Sequence, residues 1–295
     1  MKQVRTLSVG ETESGMKLWQ FLSRACRGAS RTLFFRWART GQVRINGRRA
    51  QVDVRLSTGD SVRIPPFEAE ESEMPAAMDY KKILIFEDQD LLVLNKPSGI
   101  AVHKGTGHIG LIEQLAGAGL FRPVPVHRLD LPTSGVLVIA KNFRTLKALK
   151  ENWGQAEKFY LALATDSRQL IPSGRTLELR DRLAERADGP KMEISATGKL
   201  ALLRLRRLSV KGEQTLIMIR LFTGRTHQIR VQMANFGAPL TGDARYFRSG
   251  ELFLHCRKIV IPIQGEKKTF KAPLPPGFAR KITEITGKID DLAVK

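Results

Sequence analysis

Cysteine is nearly missing from this chain. Cys26 and Cys256 are the only two in 295 residues, which excludes a disulfide framework and a cysteine-based zinc site. Histidine is scarce too. His103, His108, His127, His227 and His255 are scattered, and none stands at zinc-ligand spacing from another. They are read as structural, and no metal is expected. Long apolar runs are also lacking. Val136 to Ala140 is among the longest, far short of the ~20 residues that a membrane helix requires. The opening Met1-Lys2-Gln3-Val4-Arg5 has no apolar stretch of the signal-peptide kind. Gly105-Thr106-Gly107 lacks the rest of a phosphate loop. Acidic residues are few, with 29 Asp and Glu against 49 Lys and Arg, for a net charge of +20. Such an excess points to a polyanionic partner, either nucleic acid or an acidic membrane surface. No amphipathic anchor is visible, which argues against the membrane. A soluble, cytoplasmic, monomeric protein is expected.

What is present is ordinary globular composition, 42% hydrophobic and 26% charged, unevenly laid out. Residues 1–65 carry 13 Lys or Arg and 4 Asp or Glu, a net of +9. From Pro65 to Tyr80 the sign reverses. That stretch holds Glu68, Glu70, Glu71, Glu73 and Asp79, three prolines and no basic residue. Proline blocks regular hydrogen-bond ladders, so 66–80 reads as a linker between a basic module, 1–65, and a larger domain, 81–295.

The small module has a legible layout. Leu18, Phe21, Leu22 and Ala25 recur at helical spacing. Ser30 is placed to cap a second helix with Leu33, Phe34, Trp37 and Ala38 on one face and Arg36 and Arg39 on the other. Gly41 stops it. Val43-Arg44-Ile45 alternates like a strand, Asn46-Gly47 signals a type I′ hairpin, and Arg48-Arg49 begins the return. Ser61 to Ile64 closes the unit as a strand. This order resembles the alpha-L RNA-binding module of ribosomal proteins and RNA-modifying enzymes. The resemblance implies that Arg31, Arg36, Arg39, Arg44, Arg48 and Arg49 contact RNA phosphates, which gives affinity more than sequence choice.

In the larger domain, Ile83 to Phe86 and Leu91 to Leu94 read as two strands around a turn, followed by the breaker-rich loop Asn95-Lys96-Pro97-Ser98-Gly99. Then comes His127-Arg128-Leu129-Asp130-Leu131-Pro132-Thr133-Ser134-Gly135, a polar loop with one carboxylate feeding the apolar strand Val136 to Ala140. Functional groups are often set on a loop held by a rigid strand. On spacing alone, a lone Asp beside Arg reads as a structural ion pair.

The full string resembles the signature of the ribosomal-large-subunit pseudouridine synthases. Asp90 to Gly99 matches that family too, as do Thr223-Gly224-Arg225-Thr226-His227-Gln228-Ile229-Arg230, Gly237 to Asp243, Leu254-His255-Cys256 and Phe270-Lys271-Ala272-Pro273. The likeness implies an α+β catalytic domain with a mixed, largely antiparallel sheet, beside the small N-terminal α/β module. It implies an isomerase that breaks the N-glycosidic bond of uridine, turns the base and rejoins it through C5. That chemistry needs a carboxylate but no metal or redox carrier, so no cofactor is expected.

The resemblance also assigns roles. Asp130 is the nucleophile, and carboxylates are known covalent nucleophiles. Arg230 pairs with it and keeps it ionised. Arg225 is an alternative partner, read rather as an RNA contact or loop cap. Tyr160, in Lys158-Phe159-Tyr160-Leu161-Ala162, stacks on the base or joins in proton transfer. Arg128 fills or supports the space that the flipped uridine vacates. The expected partner is RNA, most of all large-subunit ribosomal RNA. A non-catalytic RNA-binding or ribosome-assembly factor is the competing reading, and the joint presence of Asp130, Tyr160 and Arg230 argues against it. Two departures stand out. Gly198-Lys199-Leu200-Ala201 is a loose version of the family segment, and the stretch before His127 is short.

Overall fold

The computed structural model describes residues 3–26, 29, 31–67, 78–104, 109–118, 123–187, 189, 191–263 and 265–287. Ser30, His108 and most of the expected linker, 68–77, lie outside the described residues.

The N-terminal unit runs β1 (Arg5–Ser8), α1 (Leu18–Ala25), α2 (Arg31–Arg39), β2 (Arg44–Ile45), β3 (Arg48–Arg49) and β4 (Ser61–Ile64). Its sheet has the order β1-β4-β2-β3. Asn46 and Gly47 both adopt positive φ, 49° and 75°, as a type I′ turn requires. Leu18, Phe21 and Leu22 of α1 and Phe34 and Trp37 of α2 bury into one core with Val43, Val62 and Ile64. Arg36, Arg39, Arg44, Arg48 and Arg49 stay exposed. β1 has no clear signal in the sequence. It pairs with β4 from Arg5↔Ile64 to Ser8↔Ser61 and is mostly exposed.

The larger unit runs β5 (Leu84–Glu87), β6 (Leu91–Lys96), α3 (Leu111–Gly117), β7 (Val124–Pro125), β8 (Ser134–Ala140), α4 (Phe143–Asn152), β9 (Glu157–Thr165), β10 (Thr176–Glu185), β11 (Met192–Ile194), β12 (Lys199–Lys211), β13 (Gln214–Leu221), α5 (Gln228–Phe236), β14 (Leu254–Ile263), β15 (Glu266–Lys271) and α6 (Pro276–Thr286). Among the described residues, the strands form a sheet with the path β11-β10-β12-β13-β9-β14-β8-β6-β5, with β15 on β14 and β7 on β8. Only β14 with β8 pairs in parallel; the other neighbours are antiparallel. This is the mixed, largely antiparallel sheet of the expected α+β fold. The loose Gly198 segment leads directly into β12, where Ala201, Leu203 and Leu205 are buried.

Two apolar layers flank the sheet. The larger gathers Val136, Val138, Leu203, Ile217, Ile219, Ile229 and Met233 on the face that carries α5. The other packs Phe278 and Ile282 of α6 on Leu161, Leu163 and Leu216. Phe143, at the start of α4, touches both the larger core and the core of the N-terminal unit, and so joins them.

Gly135 shows why the β8–β14 junction tolerates no side chain. Its φ is +114°, and a Cβ there would lie 2.3 Å from the carbonyl oxygen of Cys256.

Candidate active site

A cleft of about 1040 Å³ opens on the sheet face beneath α5. Asp130, Tyr160 and Arg230 all line it, although they come from a loop, a strand and a helix far apart in sequence. Arg128 and Arg225 line it as well, with Lys104, Lys150, Lys158 and Arg245. The walls are therefore strongly cationic, and such walls draw in a polyanion.

The Asp130 loop is fixed from below. The Thr133 backbone N–H donates to the Asp130 carbonyl at 3.0 Å, closing a tight turn. The Gly99 N–H donates to the Leu131 carbonyl at 3.0 Å, and the Ser98 hydroxyl to the Pro132 carbonyl at 2.8 Å. Lys96 binds the same two loops together. Fully buried at the end of β6, its ammonium donates to the carbonyls of Pro97 at 2.8 Å, Ile100 at 2.7 Å and Leu131 at 3.2 Å. Burial pushes its pKa down to about 7, against the pull of the Asp130 charge.

Arg230 is held more tightly still. It is buried on α5, between Ile229 and Val231. Its Nε and Nη2 donate to Asp243 Oδ2 and Oδ1 at 2.8 and 2.7 Å, a bidentate fork. Its Nη1 points to Asp130 Oδ2 at 3.4 Å. Asp243 is itself buried and accepts the Arg245 backbone N–H at 3.1 Å. Burial lowers the Arg230 pKa, but Asp243 and then Asp130 raise it on balance. The guanidinium is a fixed cation with one edge spent on Asp243 and one nitrogen turned to Asp130. Asp243 is the partner that sequence reasoning missed, although it closes the Gly237–Asp243 motif. Arg225 does not serve as an alternative. Its Nε donates to the Leu200 carbonyl at 2.9 Å, and its backbone N–H donates to Gln228 Oε1 at 3.1 Å.

Tyr160 is buried on β9, with Cys256 opposite it on β14. Burial first, then Cys256 and Asp130, raise its pKa well above the phenolic value. It is a neutral ring with an O–H, not a base, at physiological pH. His227 adopts φ +52° before α5, and its Nδ1 lies 2.9 Å from the Tyr246 hydroxyl. The Tyr246 ring in turn sits under Arg230, 5.3 Å from the guanidinium carbon. The exposed Arg128 stands on the rim. Among the described residues, no group of three or more His, Cys, Asp or Glu side chains converges as a metal site would.

The chain matches the model of a family described as RNA pseudouridylate synthase over residues 90–235. It is 32% identical over 316 residues to the ribosomal large subunit pseudouridine synthase C of Vibrio cholerae, covering 96% of this chain and 97% of that one. The chain belongs to the RNA pseudouridine synthase family. A second relative of the same description, from Haemophilus influenzae, is 35% identical over 301 residues and 92% of each chain. Two solved human structures share the fold, RNA pseudouridylate synthase domain containing 4 and 1. Their TM-scores are 0.58 and 0.57, at 24% and 23% identity, over 69% and 66% of this chain and 92% and 85% of theirs. This synthase is thus an isomerase acting on RNA. Among the described residues, no helix is long and apolar enough to cross a membrane.

Two histidines of this synthase, His127 and His255, serve packing. His127 Nε2 accepts the Val138 N–H at 3.1 Å, and its ring stacks on Trp153 at 5.0 Å. The Nδ1 of His255, which is completely buried, meets the Ser134 hydroxyl at 2.9 Å. Burial lowers His127 to about 3 and His255 to about 4. An unfolded chain protonates its histidines near 6.5, so it binds more protons than the fold between that value and about 4. Stability contributed by a neutral His255 is complete above pH 6.5 and is lost as pH falls towards 4, by about 3 kcal/mol in all. Urea unfolding at pH 7, 5.5 and 4.5 should show the His255→Gln variant losing less stability on acidification than the parent. Equal acid slopes would remove His255 from the account.

Proposed function

We propose that this synthase isomerises uridine in large-subunit ribosomal RNA, with Asp130 as its nucleophile. The observation that supports this best is the Asp130 carboxylate, open to the cleft with 27% of its side chain exposed and 3.4 Å from a guanidinium that a second carboxylate locks in place. Arg230 fixes the direction of the Asp130 carboxylate. The reaction conserves every atom. The N1–C1′ bond breaks, C1′ rejoins at C5, the proton on C5 leaves and N1 gains one. Tyr160 offers its ring to the base and its hydroxyl as a donor. Arg128, on the rim, is placed to support the space that the flipped uridine leaves. The large-subunit target rests on relatives of that description which match nearly end to end. Incubating refolded large-subunit RNA with the purified protein and mapping pseudouridine by a base-specific adduct tests it. New adducts at discrete uridines are expected; modification confined to transfer RNA would redirect the substrate.

The N-terminal unit is read as the phosphate grip. Arg36, Arg39, Arg44, Arg48 and Arg49 are exposed on one helix and the hairpin after it, and the Arg31 side chain lies outside what is described. Arg44 also donates to the carbonyls of Gly41 and Gly47 at 3.3 Å, so it partly serves the hairpin. Replacing Arg36, Arg39 and Arg48 by Gln should weaken binding and lower the log–log salt slope by about one for each lost phosphate contact. Titration across a salt series measures both; parallel lines of equal affinity would reject the grip.

A further inference from the structure

The N-terminal unit has a hollow of about 540 Å³ between the start of α1, the outer face of α2 and residues 50–53. Trp19 and Phe35 line it, with Lys17, Arg39, Gln51 and Asp53. Its walls are pinned together. The Leu18 N–H donates to the Val54 carbonyl and the Trp19 N–H to the Val52 carbonyl, both at 2.8 Å. Two of its three walls, the start of α1 and residues 52–54, are thereby fixed to each other. Phe35 is 47% exposed on a helix whose core contacts are made by Phe34 and Trp37. Arg39 stands one turn beyond it on the same face.

An exposed ring, Phe35, beside a half-buried one, Trp19, with cations next to them, is an arrangement that can take a base on its rings and a phosphate at its edge. We propose that this hollow binds one unpaired nucleobase of the RNA against Trp19 and Phe35, with Lys17 and Arg39 on the adjoining phosphate. Gln51 and Asp53 supply a donor and acceptors for the base edge. The proposal rests on the reading that this unit binds RNA. It adds to that reading a contact sensitive to secondary structure, where phosphate contacts are blind to it. The module would thereby recognise a bulge or loop at a distance from the uridine being turned over.

The test uses the full chain and two RNA duplexes of equal length, one fully paired and one with a single bulged cytidine. Cytidine keeps the isomerisation out of the measurement. The intact protein should prefer the bulged duplex about tenfold, the scale of one stacked base. Phe35→Ala should abolish that preference with an unchanged salt slope and melting temperature, and Phe35→Tyr should retain it. With 5-iodocytidine at the bulge, photocrosslinks should fall on the peptides containing Trp19 or Phe35. Crosslinks on cleft residues, no preference in the intact protein, or a preference surviving in Phe35→Ala would overturn the proposal; the last would assign the hollow to a protein partner. The Arg36→Gln and Arg48→Gln variants, at residues outside the hollow, report separately. If they change the slope while Phe35→Ala changes nothing, the phosphate grip stands and the base site falls.

Discussion

Asp130→Asn should abolish pseudouridine formation and leave the protein otherwise intact. The amide nearly matches the carboxylate in shape but lacks the anion that attacks, so single-turnover rates should fall by about 10⁴-fold or more, as when a sole nucleophile is removed. The fold has little reason to respond. Arg230 keeps both of its bonds to Asp243, and the Asp130 loop is held through backbone carbonyls that bind Lys96 and Ser98. RNA affinity and melting temperature should therefore stay near those of the parent. Adduct mapping on one defined RNA, together with a thermal melt, decides it. Substantial turnover by the purified variant would move the nucleophile elsewhere.

Asp243→Ala should produce a different pattern, with stability and activity lost together. Arg230 and Asp243 are both buried, with side-chain exposures of 6% and 1%. Removing the carboxylate leaves the buried cation with only its 3.4 Å contact to Asp130, and breaking a buried pair in this way costs about 3–5 kcal/mol. For a chain of this size that is roughly a 10 °C fall in melting temperature. The freed guanidinium would also turn more fully onto Asp130, fixing the proposed nucleophile in a salt bridge and slowing attack. The double variant Arg230→Met with Asp243→Leu separates the two effects. An apolar pair of similar volume can replace a buried ion pair without loss of stability, so the melt should recover while turnover does not. An Asp243→Ala protein that melts like the parent would show that the fork is not structural.

Much of this arrangement was legible in the residues. The Asn46-Gly47 turn and the stripes of α1 and α2 follow from local rules of spacing and φ. The motifs carried the fold and the cleft, because several long strings in one order point to a family. What stayed hidden was pairing across space. Asp243 lies 13 residues from Arg230, beyond the helix end and a turn, and charge spacing says nothing about which carboxylate closes the fork. Lys96 sits in a breaker-rich stretch that reads as exposed, yet it is completely buried, because its partners are carbonyls, which every residue has. β1 is short and mostly exposed, so no alternation marks it; its place is set by the free edge of β4.

The position of β14 has a consequence for synthesis of the protein. This strand, Leu254–Ile263, lies between β8 and β9, which precede it by roughly a hundred residues. At translation speeds of about 5–20 residues per second, β9 and the Ser134–Gly135 end of β8, the part not covered by β7, wait roughly 5–20 s without their β14 partner. Unpaired edges recruit other strands, so the nascent chain is open to mispairing in that interval. The Ser134–His255 contact that anchors the end of the Asp130 loop also forms only when β14 arrives. A chain halted before residue 254 would therefore hold the Asp130 loop through Lys96, Ser98 and Gly99 but without the Ser134–His255 contact. Closure of the sheet, and with it the last support of that loop, then comes late in synthesis.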